Sequence, residues 1–330
     1  MGAGHISHSL PLRELHSTGL RFWTGLALSA LFLYLSFRKV DLGALLTAFR
    51  EASYWWAAPV VALTFGSVWV RAVRWKVLLR PLGHVRTDRL LSATLIGLMA
   101  NNLLPARMGE LLRAEVVSRR EGMSWGGAFG SIVVERTLDG LVVMAMFLGM
   151  LPFVGAPGWL RTAGAAGLGL FVCALVALIA MRGHVEVLTR AVGRLPGRLS
   201  IGLGRFVEGL GVLAEGREVR KVLLLSFGVW TVAMAALYGT FLAFHRSLPV
   251  YSLPVVMGLM TIGVMIPSSP GYIGTLQYSC ILGLSLFGVP KEEALSISVF
   301  YHATQYLPVT GAGWILYAYT LKADRSIEER

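Results

Sequence analysis

Apolar residues in this chain come in long blocks, not at the spacing of strands or surface helices. Runs near 20–37, 54–70, 137–155, 161–181, 222–244 and 303–321 approach the roughly 20 helical residues that cross about 30 Å of hydrocarbon. Two shorter runs, Leu90–Leu104 and Val250–Ile266, stop at Pro105 and Gly109 and at Pro267, Pro270, Gly271 and Gly274. An interrupted backbone at membrane depth is tolerated only inside protein or beside a wet cavity. The pattern predicts an all-α polytopic membrane protein with about six spanning helices and two opposed re-entrant hairpins; counting each broken run as a crossing gives eight spans.

Composition agrees with this class: 55% of the 330 residues are hydrophobic and 15% charged, with a mean hydropathy of +0.65. In a soluble protein the net charge of +12 would point to nucleic acid, but here the basic residues lie between spans, so no nucleic-acid partner is expected. Residues 71–89 carry Arg71, Arg74, Lys76, Arg80, Arg86 and Arg89 against Asp88 alone, and residues 182–221 carry eight basic residues against four glutamates. Both stretches are expected on the cytoplasmic side, leaving Arg136 as the basic residue at depth. Both termini are then cytoplasmic: a segment 1–19, a single membrane domain 20–321 and a tail 322–330, in the inner membrane of a bacterium or archaeon. The first apolar run ends in Ser36-Phe37-Arg38-Lys39 without a small-residue cleavage site, so it is expected to remain as an anchor. Within 183–219, Phe206, Leu210 and Leu213 share a helical face, which fits an amphipathic helix on the inner leaflet or a plain cytoplasmic connector. Cys173 and Cys280 both fall in apolar segments and read as buried, inert thiols.

The two breaks superpose. Pro105-x-x-x-Gly109-Glu110-Leu111 matches Pro270-x-x-x-Gly274-Thr275-Leu276. Continuing the alignment places Glu135 and Arg136 opposite Tyr301 and His302. Interrupted segments at matching places in halves of opposite orientation, here about 54–155 and 222–321, are the sequence signature of an inverted-repeat transporter.

Charges inside spans narrow the search for a site. Glu135 and Asp139 share a helical face, and Arg136 reaches Asp139 at i, i+3. Each of these charges exposed to lipid would cost roughly 2.5–3.5 kcal/mol, so they must face protein, water or ligand. They can form an interhelical ion-pair knot with Arg113 or Glu110, or Arg107, Arg113 or Arg136 can bind an anionic headgroup while the carboxylates hold the arginines. The two readings are compatible. Asn101 and Asn102, Ser268 and Ser269, and Thr275 and Gln277 flank the breaks, either capping broken backbone or touching substrate. His302 and Gln305 in the last span face the position that the repeat assigns to Arg136.

Enzyme signatures are absent: four aspartates, Asp41, Asp88, Asp139 and Asp324, form no Asp-x-Asp, and there is no metalloprotease, nucleophile-elbow, P-loop or dinucleotide motif. No catalytic residue, metal or cofactor is expected. Three stretches, Asn102-Leu-Leu-Pro-Ala-Arg-Met-Gly-Glu-Leu-Leu-Arg113, Val134-Glu-Arg-Thr-Leu-Asp139 and Pro267-Ser-Ser-Pro-Gly-Tyr-Ile-Gly274, resemble the lysylphosphatidylglycerol synthase transmembrane-region family, a flippase-like domain, over residues 20–320. The resemblance implies a membrane part that moves lipids between leaflets, with relatives linked to polyprenyl-phosphate sugar and hopanoid pathways. The chain holds no segment for a synthase domain, so synthase activity is not expected to carry over, and it has His302 where the resemblance implies an arginine. The expected function is movement of a phospholipid or polyprenyl-phosphate lipid with an anionic headgroup. The alternatives are a subunit of a lipid-modifying enzyme, or a scaffold that holds such a cytosolic enzyme at 182–221.

Overall fold

The computed structural model of the chain describes residues 12–184, 197–266 and 268–328; Pro267 and much of the connector after 183 lie outside them. The described residues form twelve α-helices and no strand. In chain order they are α1 (Leu12–Phe37), α2 (Leu42–Glu51), α3 (Ala57–Leu78), α4 (Thr87–Leu103), α5 (Met108–Glu121), α6 (Trp125–Met150), α7 (Gly158–Gly183), α8 (Gly197–Gly209), α9 (Gly216–Ala243), α10 (Ser252–Met265), α11 (Thr275–Ser285) and α12 (Lys291–Glu328). Local chemistry sets several starts. The Asp41 carboxylate accepts from the Gly43 amide at 2.7 Å, Ser124 Oγ accepts from the Gly127 amide at 3.2 Å, and Gln277 Oε1 accepts from the Gly274 amide at 2.7 Å.

Four helical segments are long and apolar enough to cross a membrane: Tyr54–Leu78, Trp125–Val154, Gly158–Gly183 and Gly216–Ala243. The chain is thus an all-α, multi-pass membrane protein. Of the other two expected runs, the first falls within the 26-residue α1, and the last is embedded in the 38-residue α12, which continues through Pro308 and carries polar side chains along its length. The first of the four also extends past its expected end at residue 70. Exposed aromatic side chains, Tyr54, Trp55, Phe153, Trp159 and Tyr251, gather at one end of the bundle, where Phe153 meets Tyr251 at 6.3 Å and the Ser53 amide donates to Ala243 O at 2.7 Å. Such belts mark a membrane interface.

α4 and α5 form one helical hairpin and α10 and α11 another. Arg89 pairs with Glu121 at 3.0 Å across the open end of the first; Tyr251 meets Phe287 at 6.0 Å across the open end of the second, at the aromatic end of the bundle. The hairpins therefore open toward opposite ends. α4 packs against α12, α10 packs against α6, and α3 packs along α9. One apolar core, around Phe147, Phe241 and Leu284, fills the aromatic end; a second, around Trp75, Leu78 and Leu210, fills the other.

Part of the expected amphipathic segment 183–219 lies outside the described residues. Its helix α8 packs the face of Phe206 and Leu210 on α6: Phe206 lies against Phe129 at 6.3 Å, Leu210 is buried, and Gly126, Gly130 and Gly209 let α8 approach α6 closely, while Ile201 is exposed. Cys280 is buried as expected, but Cys173 is exposed on α7.

Candidate functional site

The site starts on α6, where one helical turn and a half carries Glu135, Arg136 and Asp139. Arg113 of α5 grips Glu135 with both guanidinium nitrogens, at 3.0 and 2.5 Å, and lies 3.7 Å above the Trp75 ring. Arg74 of α3 bonds Asp139, reaches Glu135 at 3.2 Å and donates to Ser226 Oγ of α9 at 2.8 Å. Arg71, one turn earlier, pairs with Asp139 at 3.3 Å and sits 5.6 Å over Trp230. Arg136 pairs with Glu135, with Asp139 at 3.3 Å and with Glu110 at 3.8 Å. Neither Arg74 nor Glu135 exposes any of its side chain (both 0%), so each needs the other's charge to remain ionised there.

Arg71 and Arg74 correct the sequence reading, which put both in a cytoplasmic loop and left Arg136 as the basic residue at depth. α3 continues to Leu78, and the i, i+3 spacing turns both guanidiniums toward Asp139. A hydropathy window ends a span at the first arginine; a helix does not. The Arg71-x-x-Arg74-Trp75 spacing at the end of an apolar run was the available signal.

The breaks frame this cluster. α4 ends at Leu103, Leu104 is extended, and Pro105–Arg107 form one 3₁₀ turn with Arg107 at φ 54°. Asn101 Oδ1 accepts from the Gly109 amide at 2.9 Å, tying α4 to the start of α5, and a Cβ on Gly109 would overlap the Gly97 carbonyl oxygen. In the second break Gly271 (φ 71°), Tyr272 (φ 59°) and Gly274 (φ 93°) are left-handed, a region that favours glycine. The breaks meet each other. Arg107 donates to Val264 O at 2.9 Å and lies 5.7 Å over the Tyr272 ring; Tyr306 donates to Asn102 O at 3.2 Å.

Between the breaks and α6 lies a cavity of about 430 Å³. Of the residues singled out from sequence, Asn101, Asn102, Arg107, Glu110, Arg136, Asp139, His302 and Gln305 line it. Arg113 and Glu135 stand behind the wall. Ser268, Ser269, Thr275 and Gln277 are outside it and serve the backbone or a neighbour: the Ser269 amide donates to Ser29 Oγ at 2.7 Å, Thr275 donates to Tyr272 O at 3.1 Å, and Gln277 Nε2 lies 2.8 Å from His302 Nδ1. Asn102 donates to Thr310 at 2.8 Å and Gln305 to Thr64 at 2.6 Å. Arg71, Trp230, Tyr272 and Tyr306 also line the cavity, and sequence reasoning missed them. Part of the lining is cationic and aromatic; Met257, Met260, Val264 and Leu276 add an apolar part. Such a lining suits an amphipathic ligand with an anionic end.

Known proteins resemble this chain along nearly its full length. It is 25% identical over 320 residues to the glycosyltransferase AglD of Haloferax volcanii, a match that takes in 85% of this chain and 51% of the relative; the chain thus spans about half the length of that protein. It is 22% identical to a UPF0104 membrane protein of Methanothermobacter thermautotrophicus, over 82% of this chain and 87% of the relative. It is 23% identical to the UPF0104 membrane protein MJ1595 of Methanocaldococcus jannaschii, over 74% and 79%. The sequence model of the lysylphosphatidylglycerol synthase TM region matches residues 22–313, and the chain belongs to that family.

Proposed function

We propose that this protein moves a lipid with a phosphate-bearing headgroup, a phospholipid or a polyprenyl phosphate, between the leaflets of the inner membrane. The observation that carries the reading is the cavity between the two breaks, where Arg71, Arg107 and Arg136 face Glu110 and Asp139 and leave an excess of positive charge beside an apolar wall. Guanidinium groups bind phosphate oxygens as planar forks, and in a low-dielectric site such bonds are strong. Both hairpins are re-entrant in this reading: α4, α5, α10 and α11 have 17, 14, 14 and 11 residues, and at 1.5 Å per residue each falls short of about 30 Å of hydrocarbon. Reciprocal packing of α4 on α12 and of α10 on α6 supports an inverted repeat whose halves rock about a central site. The basic end of the bundle faces the cytoplasm, with both termini.

Transbilayer movement in liposomes tests this. Head-labelled anionic lipid should flip faster with the protein than without it, and Arg136→Ala should slow the protein-dependent rate about tenfold or more, the effect of a lost hydrogen bond to a charged group. Full activity in folded Arg136→Ala would exclude the headgroup role. The topology has its own check in a Cys173→Ser background. Cysteines at Arg86 and Ser285, exposed near the open ends of the two hairpins, should react with an impermeant maleimide from opposite sides of the membrane. Reaction from one side only would rule out opposed hairpins.

A second reading follows from the match to about half of a glycosyltransferase. Here the chain presents a lipid-linked substrate to a cytosolic lipid-modifying enzyme, and co-purification of such an enzyme through the 182–221 surface would favour it.

A further inference from the structure

Arg107 differs from every other arginine of the site. Arg71, Arg74, Arg113 and Arg136 each contact a carboxylate; among the described residues no carboxylate lies within ion-pair distance of Arg107. Among the described residues its charge meets the Val264 carbonyl and the Tyr272 ring. It is also exposed, and the side chains around it on the two hairpin tips are exposed and apolar: Leu103, Leu104, Met108, Met265 and Ile273. A guanidinium without a carboxylate partner, held by one backbone carbonyl and ringed by exposed apolar side chains, is placed to take an anion that arrives beside those side chains. The backbone there is also held away from its preferred state, with Arg107 and Tyr272 both left-handed without being glycine, as occurs where a segment is built to switch.

We infer that the seam between the two hairpin tips is the lateral portal of the cavity, and that Arg107 receives the phosphate of a lipid with a net-anionic headgroup there while its hydrocarbon chains stay in the bilayer. The Arg107 bridge to Val264 and Tyr272 is the closed seam. A lipid phosphate competes for the same guanidinium, frees the bridge and passes to Arg71 and Arg136 behind it. The inference rests on the lipid-moving reading above, but occupancy of the portal is measurable without transport.

The experiment places a bimane fluorophore on Leu104→Cys, at the rim but outside the cavity lining, in a Cys173→Ser background. The reference position is Val176→Cys, on the exposed face of α7. In phosphatidylcholine vesicles, chain-brominated phosphatidylglycerol should quench the rim label at a mole fraction about fivefold lower than chain-brominated phosphatidylcholine, with no such preference at residue 176. Arg107→Gln should abolish the preference and Arg107→Lys should retain part of it. Inorganic phosphate in the buffer should leave it unchanged, because only a membrane-anchored phosphate is concentrated at the rim. Equal quenching by both lipids, a preference that survives Arg107→Gln, or displacement by free phosphate would each overturn the portal. Lipid movement without the preference would leave the transporter and remove the portal; the preference without movement would leave the portal and remove the transporter.

Discussion

Glu135→Gln is expected to destabilise the protein by about 3–5 kcal/mol, the usual effect of removing one partner from a buried ion pair. The substitution keeps the volume, so the loss is electrostatic. Glu135 contacts Arg74, Arg113 and Arg136, its side chain is fully buried, and after the change Arg113 has no carboxylate within ion-pair distance among the described residues while Arg74 and Arg136 retain Asp139. Unfolding in detergent can be followed through the buried Cys280 thiol with a thiol-reactive dye, in a Cys173→Ser background. Adding Arg113→Met to Glu135→Gln should restore part of the stability, because it deletes the guanidinium that the first change strands. Full restoration would mean that Glu135 serves Arg113 alone; no restoration would mean that Arg113 finds another counter-charge.

Gly109→Ala should be the second most damaging single change, by about 1–3 kcal/mol, the range for overpacking a close contact. A Cβ there would overlap the Gly97 carbonyl oxygen and lie 2.6 Å from Asn101 Oδ1, so the two helices of the first hairpin must separate and the Asn101 bond to the Gly109 amide must break. Both neighbours are backbone or backbone-bound, so neither can swing away cheaply. The same thiol-reactivity assay measures the loss. Gly149→Ala, where an added Cβ meets nothing within 4 Å, is the control: helix propensity alone favours alanine there, so a comparable loss in both variants would show that the hairpin contact is not responsible.

Much of this site was legible before any fold was known, because its signals are local. Pro105 and Gly109 interrupt an apolar run wherever the run lies, and Glu135, Arg136 and Asp139 sit on neighbouring helical positions by spacing alone. The alignment of the two breaks put Arg136 opposite His302, and both line one cavity. The Arg113 and Glu110 contacts with α6 follow from the need of each buried charge for a partner in the neighbouring hairpin. Thr275 and Gln277 lie outside the cavity lining and bond to the backbone of the second break, a placement that residue type alone does not reveal, because a side chain that caps a half-helix and one that binds ligand have the same sequence.

The sequence by itself determined the all-α membrane class, the two broken runs and the family, since each depends on residue types and spacings within one segment. Tertiary structure decided which arginines belong to the site. Arg74 and Asp139 are 65 positions apart, and Arg107 and Val264 are 157 apart; what joins them is the packing of α3 against α6 and the meeting of the hairpin tips. A charge inside a membrane must find a partner, but helical periodicity fixes only the face it points from, and packing between distant helices chooses the partner it meets.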